Sequence, residues 1–317
     1  MFKNKPFQIL FFILFVIITA NAALANQADD KFIEEIYQKL PKNLSETQKI
    51  DYFSRAFMGK PYLAGPLGEG KNGLIDQSPL YRTDGFDCQT YVETVLALSQ
   101  SKTLKQFKKQ MNALRYEKDA PSYLTRNHFL TLDWIKNNHK KGLIKDMTPT
   151  IIHKSTRPVF QLSKTVIKKR GWLKKKTLKD IKIKEAHLKP QRLEALHLAA
   201  NSYPDRLSTL AYIPLTALFD NTQKANAFIF NQIPSGSIIT IVRPNWPLEK
   251  FIGTDLDVSH LGFTIKKNNI LYFREASSIE KKVIDIPLAS YLKNYINSPT
   301  IKGINVLIPI LKARAPR

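Results

Sequence analysis

Apolar residues in the first two thirds of the chain recur at helical spacing. Ile33, Ile36, Tyr37 and Leu40 repeat every three or four residues, which predicts an amphipathic helix over Asp30–Leu40. Further helices are predicted from Ser45 to Gly59, over Cys88–Ser99, over Thr103–Arg115, over Asn127–Asn138, and from Pro190 onwards.

The last third of the chain changes to short apolar runs that are typical of strands. Lys267-Asn268-Asn269 predicts a hairpin turn between two of them. Helices therefore come first and strands follow, which predicts an α+β fold. The sequence contains neither a repeat nor an internal linker, so we expect one domain over residues 26–317. The predicted strands are Ser237–Val242, Val258–Ile265, Ile270–Phe273 and Asn305–Ile310.

Two long segments do not follow these patterns. The segment Lys60–Asp87 is rich in Gly and Pro, but its aromatic residues argue against disorder and predict a functional loop. The segment Lys164–Lys189 is rich in Lys and predicts a basic insertion at about residues 160–190. Ile181-Lys182-Ile183 within it alternates like an exposed strand. This insertion is either a binding surface or simply a solvated face.

The first 25 residues have the order of a secretory signal peptide. Lys3 and Lys5 precede an apolar run over Ile9–Ile18, and small residues lead to a cleavage site at Ala23-Leu24-Ala25. The alternative is a membrane anchor, but the run is shorter than the ~20 residues that a span needs. We therefore expect an exported, periplasmic protein without a transmembrane span after cleavage; onward secretion stays open.

The formal net charge of +23 favours anionic partners. An exported protein rarely meets nucleic acid, so nucleic acid is not an expected partner. An anionic envelope polymer or membrane surface fits both the charge and the expected location.

The chain has one cysteine, Cys88, which therefore cannot form an internal disulfide. It follows Asp87, a good N-cap residue, at the start of a predicted helix. A helix N-terminus stabilises an anion and leaves backbone N–H groups free, which suits a nucleophilic thiolate and an oxyanion. The alternative is a buried, inert cysteine.

A nucleophilic cysteine needs a base, and six histidines are available. His260 lies in a predicted strand beside Gly262, where an imidazole could be held rigidly opposite the helix. The alternative is a histidine satisfied within the core. His128, near a predicted helix start, is the rival, and we expect it to be a substrate-side or structural residue. The scattered histidines predict neither a metal site nor a cofactor.

Together these residues resemble the NlpC/P60 cysteine peptidase superfamily, and within it the DUF1460 branch, described as N-acetylmuramoyl-L-alanine amidase-like. The superfamily signals are Gly59–Gly65, Phe86-Asp87-Cys88 and His260-Leu261-Gly262. The match extends from about residue 45 to the C-terminus. The branch signals are Pro66–Gly70, Tyr81–Asp84, Thr90–Glu93, Asn127–Phe129, Asp133-Trp134 and Val258–Gly262.

The resemblance implies a papain-like core, with the nucleophile helix packed on an antiparallel sheet. It implies Cys88 and His260 as a catalytic dyad and Tyr62 near the oxyanion or the substrate. A third residue should orient His260 from the next strand, where this sequence has Glu275. If Glu275 pairs with a basic neighbour instead, Ser277 or a backbone carbonyl could take the role.

The resemblance also implies the substrate. Many endopeptidase members carry Ser-Gly after the cysteine, whereas this chain has Gln89-Thr90. This suits the amidase-like branch, which cuts the lactyl amide between N-acetylmuramic acid and L-Ala in peptidoglycan or muropeptides. Arg82 is a candidate for holding a substrate carboxylate. The alternatives are a stem-peptide endopeptidase, a non-catalytic envelope-binding module, and an effector acting on another cell.

Overall fold

The computed structural model describes residues 27–311, so the predicted signal peptide lies outside the described residues. Within 27–311, no helix is both long and apolar enough to cross a membrane. The helices are α1 (27–38), α2 (Glu46–Arg55), α3 (Cys88–Ser99), α4 (Leu104–Arg115), α5 (Lys136–Lys140), α6 (Lys169–Lys174), α7 (Lys189–Ala199), α8 (Leu215–Leu218), α9 (Ala227–Phe230), α10 (Glu249–Ile252) and α11 (Leu288–Lys293).

Among residues 27–311, eight strands form one sheet in the order β2-β3-β8-β4-β5-β6-β7, with β1 also paired to β8. All of the strand pairings are antiparallel. The predicted α+β class with an antiparallel sheet is therefore confirmed. The strands are β1 (Ile144–Asp146), β2 (Gln161–Ile167), β3 (Arg206–Pro214), β4 (Ile238–Trp246), β5 (Leu256–Lys267), β6 (Ile270–Ser277), β7 (Lys282–Pro287) and β8 (Gly303–Pro309).

The sheet is covered on both faces. On one face, α3 packs against β5 and β6, with the rings of Tyr91 and Phe263 6.1 Å apart. On the other face, α8, α9 and α11 cover a second apolar cluster that includes Ile241, Phe273 and Leu292. The alternation of side chains along β5 explains this division, because successive residues point to opposite faces of a sheet.

Local sequence signals account for several element boundaries. Ser45 caps α2, and Gln48 completes the capping box. The turn between β5 and β6 consists of Asn268 and Asn269, both with positive φ, as a two-residue hairpin with the type I′ twist requires. The predicted cap at Ser45 and the predicted hairpin turn are therefore confirmed.

Other boundaries differ from the sequence prediction. The helix that begins after Ser45 ends at Arg55, and the chain then turns as far as Gly59, which has positive φ. The predicted helix over Asn127–Asn138 starts only at Leu130, as a π-helix. Strands β1, β2 and β3 were missed, so the sheet draws on the middle of the chain as well as its end.

The basic segment at about 160–190 contributes a strand and buried residues to the fold. Its first part is β2, which pairs with β3 along seven residues. Ile181 and Ile183 are buried in a small third cluster, so the expected exposed strand is wrong. Ile75 from the long loop joins the same cluster, and Gln77 N donates to the carbonyl of Lys182. The lysines therefore lie on a surface that an apolar core supports.

Candidate active site

Cys88 is the first residue of α3, and the chain before it is firmly held. Asp87 caps the helix because its carboxylate accepts a 2.7 Å hydrogen bond from the Thr90 N–H. The Thr90 side-chain oxygen in turn accepts a hydrogen bond from the Asp87 N–H. The other carboxylate oxygen accepts from the backbone N–H of Gly65 at 3.2 Å. The Cys88 N–H belongs to the first turn, where a helix supplies no backbone acceptor. It is therefore available to an oxyanion.

His260 and Glu275 meet at the end of the sheet remote from the β5–β6 hairpin. His260 lies near the start of β5 and Glu275 near the end of β6, and antiparallel strands bring these positions together. Phe263 pairs with Arg274, so continuing the register places Glu275 level with Gly262, on the same face as His260. The carboxylate accepts a hydrogen bond from His260 Nε2. This leaves Nδ1 of the imidazole for another partner.

Cys88 lies beside this imidazole, close enough for its sulfur to be the main influence that raises the pKa of His260. Burial works to lower the pKa of His260, but the sulfur of Cys88, followed by the carboxylate of Glu275, raises it to about 10. The imidazole therefore holds its proton at neutral pH when it faces a thiolate. A sulfur at a helix N-terminus, an imidazole and an orienting carboxylate are thus brought together in one place.

Tyr62 also belongs to this group. The backbone N–H of Tyr62 donates to the carbonyl of Lys281 in the β6–β7 turn, and Tyr62 forms a bridge with Phe86. Burial, together with the nearby charges of Cys88 and Asp87, raises the pKa of Tyr62 to about 12. The phenol therefore stays protonated at neutral pH and can donate a hydrogen bond.

Tyr291 of α11 is a site residue that the sequence reasoning missed. Its ring lies 6.4 Å from that of His260 and 5.0 Å from that of Phe273. Burial raises the pKa of Tyr291, and so does the charge of Glu275. One sequence signal could have found it: Tyr295 follows Tyr291 by four residues, and this spacing places two side chains on the same side of a helical turn.

A buried ion pair behind the site explains why Glu275 is free for His260. Arg274 points to the opposite face, where its guanidinium donates to Asp285 at 2.6 and 2.8 Å and to Asp51 at 3.0 Å. Arg274 is 1% exposed, so these bonds lock β6 to β7 and to α2. The alternative in which Glu275 pairs with a basic neighbour is not the arrangement observed.

Two other candidates from the sequence occupy different places. The Arg82 guanidinium is occupied by Asp84, at 2.6 and 2.7 Å. The imidazole of His128 packs 4.6 Å from Tyr123 and from Trp172, measured between ring centroids, and its Nε2–H donates to the Tyr123 carbonyl. Burial, and then the charge of Arg126, lowers the pKa of His128 well below its usual value. Within residues 27–311, these contacts of Arg82 and His128 include neither Cys88 nor His260.

Other residues of the family signals hold α3 and its neighbouring segments in place around the site. Glu93, fully buried in α3, pairs with Arg115 at 2.5 Å. Gln89 donates to the carbonyl of Asn127, which ties the first turn of α3 to the 127–135 segment. Within residues 27–311, no group of three His, Cys, Asp or Glu side chains is arranged to hold a metal ion.

A thiol, an imidazole and a carboxylate in this order are the parts that cysteine hydrolases use. The family model described as AmiA-like, N-acetylmuramoyl-L-alanine amidase-like, matches residues 52–301. The chain therefore belongs to the AmiA-like family, which is also the DUF1460 family of the sequence prediction. A comparison with curated proteins gives no match.

Solved structures agree with this assignment. A crystal structure of a Legionella pneumophila protein described by the DUF1460 family model is 41% identical, with a TM-score of 0.88 over 91% of this chain and 96% of that one. An N-acetylmuramoyl-L-alanine amidase from Bacteroides uniformis is 22% identical, with a TM-score of 0.58 over 83% of this chain and 98% of that one. The second likeness shows a shared fold.

Proposed function

We propose that this chain is an exported, cysteine-dependent amidohydrolase that cleaves the amide between N-acetylmuramic acid and L-Ala in peptidoglycan or its fragments. The observation that carries the proposal is the position of His260, which is hydrogen-bonded to Glu275 and close enough to Cys88 for the sulfur to raise its pKa. The amidase-like family supplies the substrate class. We further propose that the site and its sheet correspond to the papain-like core of the NlpC/P60 superfamily.

In the proposed first step, His260 holds the Cys88 proton and the resulting thiolate attacks the lactyl carbonyl carbon. The carbonyl π electrons move to oxygen, and the tetrahedral oxyanion accepts hydrogen bonds from the Cys88 N–H and the Tyr62 phenol. Such donors act most strongly where water is excluded and charge develops. The raised pKa of Tyr62 keeps its phenol proton in place for this role.

Collapse of the intermediate breaks the C–N bond. The imidazolium of His260 gives its proton to the leaving amine of L-Ala, and the muramoyl group remains on Cys88 as a thioester. His260, now neutral, removes a proton from water as that water attacks the thioester. The second tetrahedral intermediate then collapses: its C–S bond breaks, the electron pair returns to the sulfur beside the His260 imidazolium, and N-acetylmuramic acid is released.

Glu275 is a positioning residue in this scheme. Its carboxylate accepts the Nε2–H of His260, which leaves Nδ1 to exchange a proton with the sulfur. It also stabilises the imidazolium that exists after thiolate formation, which is the role of the third residue in other triads. No metal or organic cofactor enters the proposed reaction.

The proposed location and partners rest on sequence and charge. The signal peptide predicted at residues 1–25 would deliver the protein to the periplasm, where the substrate is found. The net charge of +23 favours an anionic envelope surface. A surface cavity of about 930 Å³ at the far end of α3, lined by Lys49, Lys102, Lys109 and Lys141, adds to this basic surface.

Digestion of a defined muropeptide tests the proposal. N-acetylmuramoyl-L-Ala-D-Glu-diaminopimelate should give free N-acetylmuramic acid and an intact tripeptide, identified by mass spectrometry. The variants Cys88→Ala and His260→Ala should abolish both products. His187→Ala is the matched control, because His187 is exposed and far from these contacts in sequence, and it should retain activity.

The products separate the alternatives. Fragments that retain L-Ala on the sugar would identify a stem-peptide endopeptidase. Binding of the muropeptide without any cleavage would identify a non-catalytic module. Full activity in Cys88→Ala would end the cysteine mechanism.

A further inference from the structure

Arg243 lies on the same face of the sheet as His260. Ile241 of β4 pairs directly with His260, and Ile241 belongs to the cluster covered by α11. Arg243 follows two residues later, where the pairing of β4 with β5 shifts register, and its hydrogen bonds to Thr300 hold it next to Ile301 of the same cluster. The strand rises ~3.3 Å per residue, which places Arg243 about 7 Å beyond the His260 row.

The contacts of Arg243 leave much of its guanidinium free. Nε and Nη2 donate to Thr300 Oγ1 at 3.1 and 2.7 Å. The guanidinium stacks 3.8 Å from the ring centroid of Trp246. A guanidinium has five N–H donors, so three have no partner among residues 27–311. Burial lowers the pKa of Arg243, opposed by Tyr295.

Arg243 has no carboxylate partner within residues 27–311, and the rest of the chain contains no Asp or Glu. Arg115, Arg126 and Arg274, three arginines with mostly buried side chains, each pair with at least one carboxylate. A half-buried guanidinium that is held in place but unpaired is suited to a carboxylate that arrives with a ligand.

Aromatic rings lie between Arg243 and His260. Tyr295 is near enough to Arg243 to affect the pKa of its guanidinium, and the Tyr295 ring lies 5.3 Å from that of Tyr291. The Tyr291 ring in turn lies 6.4 Å from that of His260. Tyr291 and Tyr295 are half-buried, so their rings form a partly exposed aromatic surface between His260 and the guanidinium of Arg243.

We infer that Arg243 is a specificity-determining residue that binds a carboxylate on the second residue of the peptide being released. The inference rests on the proposed function. A peptide advances ~3.3–3.6 Å per residue, so its second residue lies about 7 Å from the scissile amide. This equals the step from the His260 row to Arg243. In a stem peptide that second residue is acidic, whereas the first is L-Ala.

The test compares three substrates: N-acetylmuramoyl-L-Ala-D-Glu and the two analogues in which the α- or the γ-carboxylate of D-Glu is a carboxamide. On wild type, one of the two amides should lower kcat/KM by about 10- to 100-fold, because a hydrogen bond to a charged group is lost. Arg243→Met, which keeps the packing on Trp246, should show a similar loss on the acid and no discrimination between acid and amide. Thr300→Val should show a smaller loss, expressed in KM.

Two results would contradict the role of Arg243. Equal discrimination by wild type and Arg243→Met would overturn the inference, and so would wild-type indifference to both amides. If Arg243→Met does not fold, Arg243→Gln gives the same readout, because it also removes the charge and the planar fork while keeping a polar side chain. Failure of wild type to cleave any of the three substrates would count against the proposed function itself.

Discussion

Removing the sulfur of Cys88 should change the titration of His260. The pKa of His260 is raised to about 10 from an ordinary value of about 6.5, which at about 1.4 kcal/mol per unit amounts to ~5 kcal/mol in favour of the imidazolium. Burial opposes this shift, and Cys88 contributes more to it than Glu275 does. An opposite charge at close range is worth about 1–3 units. We expect Cys88→Ala to lower the pKa of His260 by that amount.

NMR titration of histidine-labelled protein measures this change. His128 is an internal control, because its pKa is lowered by burial and by Arg126 rather than by contact with the site, and its titration should not move. Cys88 is only half-buried, so its truncation should leave the fold intact. An unchanged His260 pKa in Cys88→Ala would refute the thiolate–imidazolium pair.

The same pair makes stability depend on pH. The folded-state pKa of His260 lies above the unfolded value, so its contribution is fully present below about pH 6.5 and is lost as pH rises through about 10. Denaturant unfolding of wild type should therefore show a lower free energy of unfolding at about pH 10.5 than at about pH 7. Cys88→Ala should show a smaller decrease, and an equal decrease in both proteins would contradict the reasoning.

Three further substitutions test other contacts. Glu275→Gln should lower kcat by about 10²- to 10⁴-fold while leaving the fold unchanged by circular dichroism, and unchanged kcat would exclude the positioning role. Arg274→Met should cost about 3 kcal/mol in urea unfolding, because Asp285 and Asp51 lose a buried partner; a cost below ~1 kcal/mol would contradict this. Asp87→Ala should cost ~1 kcal/mol through loss of the α3 cap, measured in the same way.

Local signals in the sequence predicted much of the site's setting. Asp87 as an N-cap and the amphipathic run after Cys88 fix where α3 begins, and the structure has the helix over the predicted residues. Glu275 was expected only from the family resemblance, which implies an orienting residue on the strand after His260. Such features depend on neighbours in sequence or on one strand pairing, so a single sequence contains them.

The parts that the sequence did not reveal depend on long-range packing. Strand β2 carries one lysine and buries Ser163 and Thr165 while Leu162 stays exposed, so its sequence shows no clear strand signal. Ile181 looked like part of an exposed strand because its partner Ile75 is far away in the chain. Tyr291 lies beside His260 only through the order of strands β4 to β7 and the return of α11, and the position of Arg243 depends on the same strand order.

Trapping the acyl-enzyme tests the central claim most directly. Wild-type protein mixed with N-acetylmuramoyl-L-Ala-D-Glu and quenched in acid should carry an N-acetylmuramoyl thioester on Cys88, located by peptide mass spectrometry, and added hydroxylamine should yield the hydroxamate of N-acetylmuramic acid. Cys88→Ala should give neither species. Turnover by Cys88→Ala at the wild-type rate, with no adduct on the wild-type sulfur, would contradict the account.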